Sequence, residues 1–189
     1  MSAALPRAFY NRPAIEVARA LLGTVLVHGT VSGRIVETEA YLGLQDRAAH
    51  SWRGMTPRTR VLFGEPGHAY VYLIYGIYQC LNVVAEPEGS PGCVLIRALE
   101  PLEGIARMRR RRPGARGIED LANGPGKLTM ALGITRRHNG ANLTKGALTI
   151  HASARTEALS IGASPRIGIR HCADWPLRFF IKGNRWVSR

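Results

Sequence analysis

Two carboxylates and an aromatic ring share one face of a predicted strand over residues 35–41, Ile-Val-Glu-Thr-Glu-Ala-Tyr. Side chains alternate along a strand, so Val36, Thr38 and Ala40 point one way while Ile35, Glu37, Glu39 and Tyr41 point the other. Charged residues on a strand usually mark a wetted face. If that face instead floors a cleft, a carboxylate beside an apolar ring is a candidate general base. Paired carboxylates also suggest glycoside cleavage, but neighbours on one strand cannot flank a sugar from opposite sides. Alternation alone does not choose between Glu37 and Glu39.

A second group is Tyr70, Tyr72 and Tyr75, followed by Gly76. Tyr70 and Tyr72 share a face, whereas Tyr75 has the other parity and stands where the chain must turn. Such a run suits a core strand, and it also supplies rings on which bases can stack. A large ring beside glycine at a hairpin tip is a candidate wedge between base steps. Arg97 interrupts an apolar run, with Val94, Ile96 and Ala98 on the opposite parity. A buried guanidinium needs an acceptor, so Glu37 or Glu39 is its expected partner. His50, as a lone histidine, reads first as structural, and Asn82 as the mark of an edge or bulge. No group of Cys, His and carboxylates has metal-ligand spacing, which argues against a zinc deaminase and predicts neither metal nor cofactor. Gly124-Pro125-Gly126-Lys127 falls far short of a Walker loop, yet a helix start carrying lysine suits one DNA phosphate.

These groups need a scaffold. Helix formers from Ala14 to Leu22, behind Pro13 and before Gly23, predict a helix. Thr24 to His28 reads as a strand, Gly29 and Gly33 as a turn, and Arg34 to Tyr41 as the strand above. Residues 42–67 read as irregular, with helical turns near Asp46–Ser51 and Arg58–Phe63. His68–Ile74 and Ile77–Ala85 flank Tyr75-Gly76 as a hairpin. Cys93–Leu99 is a strand, and Glu100-Pro101 predicts a helix over Leu102–Arg112. A short helix is expected at Ile118–Ala122 and another from Gly124 to about Gly133. Ala147–His151, Arg166–Arg170 and Arg178–Lys182 complete the strands. One mixed α/β (α+β) domain over residues 1–189 accommodates them.

Lys and Arg number 26 against 13 acidic residues, a formal net charge of +13. An excess of that size points to a polyanion, nucleic acid before an anionic membrane, with an idle basic surface as the bland alternative. The run Arg109–Arg112 is the densest patch and reads as a solvated face. Three cysteines with no Cys-x-x-Cys spacing predict inert thiols and a reducing compartment. No stretch reaches signal-peptide or membrane-spanning length, so no membrane partner is expected.

The same residues resemble the alkyladenine (3-methyladenine) DNA glycosylase family, monofunctional purine-excising enzymes of base-excision repair. The match is carried by residues 33–43, Ala48-Ala49-His50, Thr56-Pro57-Arg58, Pro66-Gly67, residues 70–78, Asn82 and residues 94–104. It continues through Gly124–Lys127, Arg166–His171, Pro176–Phe179 and Trp186–Ser188, and is loose over 107–121 and 135–146. The resemblance implies a curved, largely antiparallel sheet with a protruding β-hairpin that enters the minor groove of duplex DNA. It implies Glu39, not Glu37, as the general base, with Arg97 positioning the water. Tyr41 and His50 would line one side of a flipped purine and Tyr72 the other, with Tyr70 and Leu95 completing the walls. Tyr75 would intercalate, and Asn82 would crowd the amino group of normal guanine. Arg58 joins Lys127 as a candidate phosphate contact. The implied lesions are 3-methyladenine, 7-methylguanine, hypoxanthine and ethenoadenine, attacked by a monomer in the cytoplasm of a bacterium or the nucleus of a eukaryote. Two alternatives stand beside this: a catalytically silent nucleic-acid-binding module of the same fold, and a bifunctional enzyme using Lys127 as an amine nucleophile.

Overall fold

Two eleven-residue strands, β2 (Val31–Tyr41) and β5 (Cys93–Glu103), pair along their length and form the spine of the molecule. The structure, a computed structural model, describes residues 3–153 and 158–188. The remaining strands are β1 (Val25–His28), β3 (Ala69–Ile74), β4 (Tyr78–Val84), β6 (Leu148–His151), β7 (Ile161–Ser164) and β8 (Arg178–Ile181). All pairings are antiparallel, in the order β3-β4-β5-β2-β1-β6. The far edge of β2 is shared: Val31–Arg34 pair with β1, and Glu37–Glu39 pair with β8, which in turn pairs with β7. One strand feeding two partners curls the sheet into a half-barrel.

The helices are few. They are α1 (Arg7–Tyr10), α2 (Ala14–Ala20), α3 (Ile105–Arg111) and α4 (Pro125–Leu132). Pro13 and Gly23 bracket α2 as expected, and α4 opens on Pro125 and closes on Gly133, which takes the left-handed conformation at φ 72°. The apolar faces of α2 and α4 pack on one face of the sheet, where Val36, Ala40, Val94 and Ile96 join Val17, Leu128 and Leu132 in the main core.

Register departs from simple alternation at the centre of the spine. Ile35 pairs with Leu99, Glu37 with Ala98 and Thr38 with Ile96, so Val36 and Arg97 are each an extra residue. A bulge of this kind re-aims side chains locally. Ile35 consequently enters the core beside Val36 rather than sharing the face of the two glutamates.

Several boundaries also differ from the sequence-based expectation. β2 begins at Val31 and absorbs Gly33, whose missing side chain lets Leu99 approach: a Cβ there would lie 3.0 Å from it. β5 does not stop at Leu99 but runs through Pro101, which sits opposite Gly33 next to a register shift where a missing N–H is tolerated. The following helix therefore starts later, behind Gly104. That residue has φ 71°, and a Cβ on it would come within 2.6 Å of the Thr30 carbonyl oxygen. Residues 118–122 form turns, not a helix, and Arg166–Arg170 form bends, not a strand. Within residues 42–67 the 3-10 turns lie at Gly43–Gln45 and Arg60–Phe63, while Asp46–Ser51 only turns; a third lies at Arg136–His138. Sequence reading missed α1 and β7.

Candidate active site

Strand register, not proximity in sequence, assembles the site. Tyr70 on β3 pairs with Asn82 on β4, Asn82 with Leu95 on β5, Leu95 with Glu39 on β2, and Glu39 with Arg178 on β8. Five strands thus contribute one residue each to a single lateral row, where cross-strand neighbours interact directly.

Both glutamates have no exposed surface, but they are held differently. Glu37 Oε1 accepts from Arg97 Nε at 3.0 Å, Arg178 Nε at 2.6 Å and Ser188 Oγ at 2.8 Å, and its Oε2 accepts from the Ser188 amide at 2.7 Å. Four donors are about what a carboxylate can accept, so Glu37 is saturated. Glu39 Oε1 accepts from the Ile167 amide at 2.8 Å and lies 3.1 Å from Arg97 Nη1, while Oε2, among the described residues, accepts only the Tyr41 hydroxyl, at 3.0 Å. Arg97, buried as anticipated, therefore takes both expected partners at once. Burial pushes the Glu39 carboxyl above its ordinary range, and Glu37 adds to the push; Arg97, the Ile167 amide and Tyr41 oppose it.

A cavity of about 890 Å³ opens above this floor. Tyr41, Arg97 and Ile167, the partners of Glu39, line it, although Glu39 itself does not. His50, Tyr70, Tyr72, Asn82 and Leu95 form further walls. Asn82 Nδ2 donates to the Tyr70 carbonyl at 3.3 Å. His50 Nδ1 lies 3.0 Å from the Tyr70 hydroxyl, and Arg58 Nη2 lies 3.4 Å from His50 Nε2. An arginine can only donate, so in that contact Nε2 accepts and Nδ1 carries the ring proton. Desolvation, reinforced by the Arg58 charge, pushes His50 down to about 4, leaving it neutral near pH 7. Its ring meets Tyr72 edge to face with centroids 4.5 Å apart, so no base fits between these two as they stand. The opposed arrangement implied by the resemblance requires them to part.

Tyr75 also borders the cavity. It crowns the β3–β4 hairpin at 78% exposure and φ 52°, with Ile77 beside it at 72%. The two candidate phosphate contacts are placed otherwise. Lys127 Nζ donates to Asp120 Oδ1 at 2.5 Å and Asn123 Oδ1 at 2.8 Å. Arg58 stacks its guanidinium 5.3 Å from the Tyr72 ring centroid and borders a second cavity, about 540 Å³, with Arg136 and Asn139. The basic run is not all solvated face either. Arg111 donates to the Ala131 carbonyl at 3.0 Å and Arg112 to that of Leu121 at 2.9 Å, both tying loops and helix ends together.

Sequence reasoning missed several contributors. The Ile167 amide is a backbone donor, which no residue type announces. Ser188 and the Arg166–Asp46 pair lie in or beside segments that carried the resemblance, but without a role. Cys80 and Cys93 are wall residues of the cavity, and burial keeps them as thiols, pushing Cys93 up to about 12. Among the described residues no three His, Cys, Asp or Glu side chains gather as a metal site, and no helix is long and apolar enough to cross a membrane.

The sequence model of the methylpurine-DNA glycosylase family matches residues 8–185. A relative from Methanoculleus marisnigri is 52% identical, with 98% of this chain and 98% of its own length covered. One from Methanocella arvoryzae is 51% identical, covering 98% and 96%, and one from Rhodopseudomonas palustris is 52% identical, covering 98% and 88%. Each of the three bears the name "Putative 3-methyladenine DNA glycosylase".

Proposed function

The chain belongs to the methylpurine-DNA glycosylase family, and from that premise we propose that it flips damaged purines out of duplex DNA and hydrolyses their N-glycosidic bond with water activated by Glu39. The substrates are alkylated or deaminated purines: 3-methyladenine, 7-methylguanine, hypoxanthine and ethenoadenine. The observation that carries this reading is the buried Glu39 carboxylate, held by three donors that themselves line a tyrosine-rimmed cavity of about 890 Å³.

The chemistry follows in order. A net charge of +13 favours sequence-independent, salt-sensitive association with phosphates. Extrusion of a nucleotide costs a few kcal/mol, least where the base is damaged or mispaired. Tyr75 fills the gap that extrusion leaves, and the purine enters the cavity. Glu39 Oε2, which accepts one hydrogen bond, has lone-pair capacity for a water proton. As the C1′–N bond breaks, the departing purine keeps its electron pair; the water oxygen bonds C1′ and its proton passes to Glu39. An ionised carboxylate also stabilises the cationic sugar in the transition state. A cationic alkylpurine leaves as a neutral base, whereas hypoxanthine needs a proton of its own. Products are the free base and an abasic site. Lys127 Nζ is engaged as a donor to Asp120 and Asn123 rather than left free to attack, so the enzyme is read as monofunctional. It acts as a monomer without a cofactor.

A duplex carrying one hypoxanthine tests the assignment. Wild type should produce abasic sites, and Glu39→Gln should lose about 10²- to 10⁴-fold in rate with DNA affinity retained. Equal rates would remove Glu39 as the base. Binding without release of any of the four lesions would make the protein a silent nucleic-acid-binding module.

A further inference from the structure

Asp46 and Arg166 form the one ion pair among the described residues in which neither side chain has any exposed surface. Both Arg166 terminal nitrogens reach the carboxylate, Nη2 at 2.9 Å from Oδ1, and Nη1 also donates to the Ala40 carbonyl at 3.0 Å. The guanidinium carbon stands 4.6 Å from the Tyr41 ring centroid. Asp46 in turn accepts the amides of Leu42 at 3.2 Å and Ala48 at 3.0 Å. The residue after Arg166 is Ile167, whose amide donates to Glu39 Oε1. A buried ion pair gains little net stability over an apolar replacement of similar size, so stability is a weak reason for this one.

We infer that Asp46 and Arg166 are positioning residues for the general base: the pair clamps residues 42–48 against the 166–167 bend and so keeps the Tyr41 hydroxyl and the Ile167 amide on Glu39. The inference rests on the proposed reading of Glu39 as the base. The charged and titratable groups facing Glu39 are Glu37 and Tyr41 on its own strand, Arg97 on β5, Cys80 on β4 and Arg166 itself, with Arg178 on β8 acting through Glu37. Among these, Arg97 is anchored independently by Glu37. The other two donors to Glu39 depend on the clamp. Loosening it removes two hydrogen bonds that favour the ionised carboxylate and leaves Arg97 alone to oppose burial, so Glu39 should hold its proton to higher pH.

Single-turnover excision of hypoxanthine, followed from about pH 5 to about pH 9, reads this directly. Arg166→Lys keeps the charge but loses the planar fork and stacking face. Its acid limb should move up by about one pH unit, a roughly tenfold loss on the acid side, with the rate recovering toward wild type at higher pH. Asp46→Asn should behave alike, DNA affinity should be unchanged in both, and thermal unfolding should show each folded. Tyr41→Phe should shift the limb in the same direction, and less than additively with Arg166→Lys. An acid limb that stays in place in the folded variants, whatever their rate, overturns the inference. Variants that both unfold outright would assign the pair to stability alone and overturn it too. A wild type that releases no base, or a Glu39→Gln protein as active as wild type, would instead remove the reading on which the inference rests.

Discussion

The floor of the cavity and the tip of the β3–β4 hairpin are built on opposite principles. At the floor, Glu37, Glu39 and Arg97 are buried or nearly so, and every contact is over-determined by partners from β2, β5, β8 and the 166–167 bend. At the tip, Tyr75 and Ile77 show most of their surface, and Tyr75 sits in a left-handed conformation uncommon for a bulky residue. Charges taken out of water must be held by their own protein, because an unpaired one is costly. An apolar tip has the reverse need, since a wedge is useful only if its surface is buried by something else. The floor is therefore complete in the free protein, whereas the tip keeps its apolar surface open, as the proposed wedge role of Tyr75 requires.

Substitutions in each region sharpen that contrast. Glu37→Gln should do its damage to the fold, because it leaves Arg97 and Arg178 short of charge; a loss of about 3–5 kcal/mol in chemical denaturation is expected. A Glu37 variant that stays fully stable yet loses excision would break the division between a structural and a catalytic carboxylate. Tyr75→Ala should do the opposite. Its unfolding midpoint should match wild type, while binding to lesion duplex weakens by about 1–3 kcal/mol, measured by titration. A destabilised Tyr75→Ala would mean that the tip is part of the fold.

The pH dependence of the chemical step is a finer test. With Glu39 raised above the ordinary carboxylate range by burial, excision should fall as pH drops through that elevated value, higher than the ~4.3 of a free glutamate. His50, pushed down to about 4, stays neutral across this limb and should not contribute. The acid limb of a His50→Gln variant should then coincide with that of wild type in single-turnover profiles, whatever the change in its height. A displaced limb would make His50 the titrating group.

Much of the scaffold was legible because its signals are local. Pro13 and Gly23 bracket α2, Pro125 and Gly133 bracket α4, and two aromatic runs around Gly76 mark the hairpin that carries Tyr75. The helix predicted from Leu102 failed for a non-local reason: Pro101 reads as a helix start unless its strand partner Gly33 is known. Pocket membership was less legible than pocket chemistry. Cys80 and Cys93 look like ordinary core thiols until register turns them toward the cavity. Arg111 and Arg112 look like solvated charge until their carbonyl partners are seen.

By itself, then, the amino-acid sequence determined the basic charge, the bracketed helices, the tyrosine-bearing hairpin and a strand with two carboxylates, because each depends on composition or on residues a few positions apart. It left those carboxylates equivalent by pattern, and only a family resemblance preferred Glu39. Tertiary structure separated them physically. Four donors saturate Glu37, while Glu39 takes an amide from a residue 128 positions away and retains room for one more bond. Bulges at Val36 and Arg97 set that geometry, and a bulge belongs to the pairing of two strands rather than to either one.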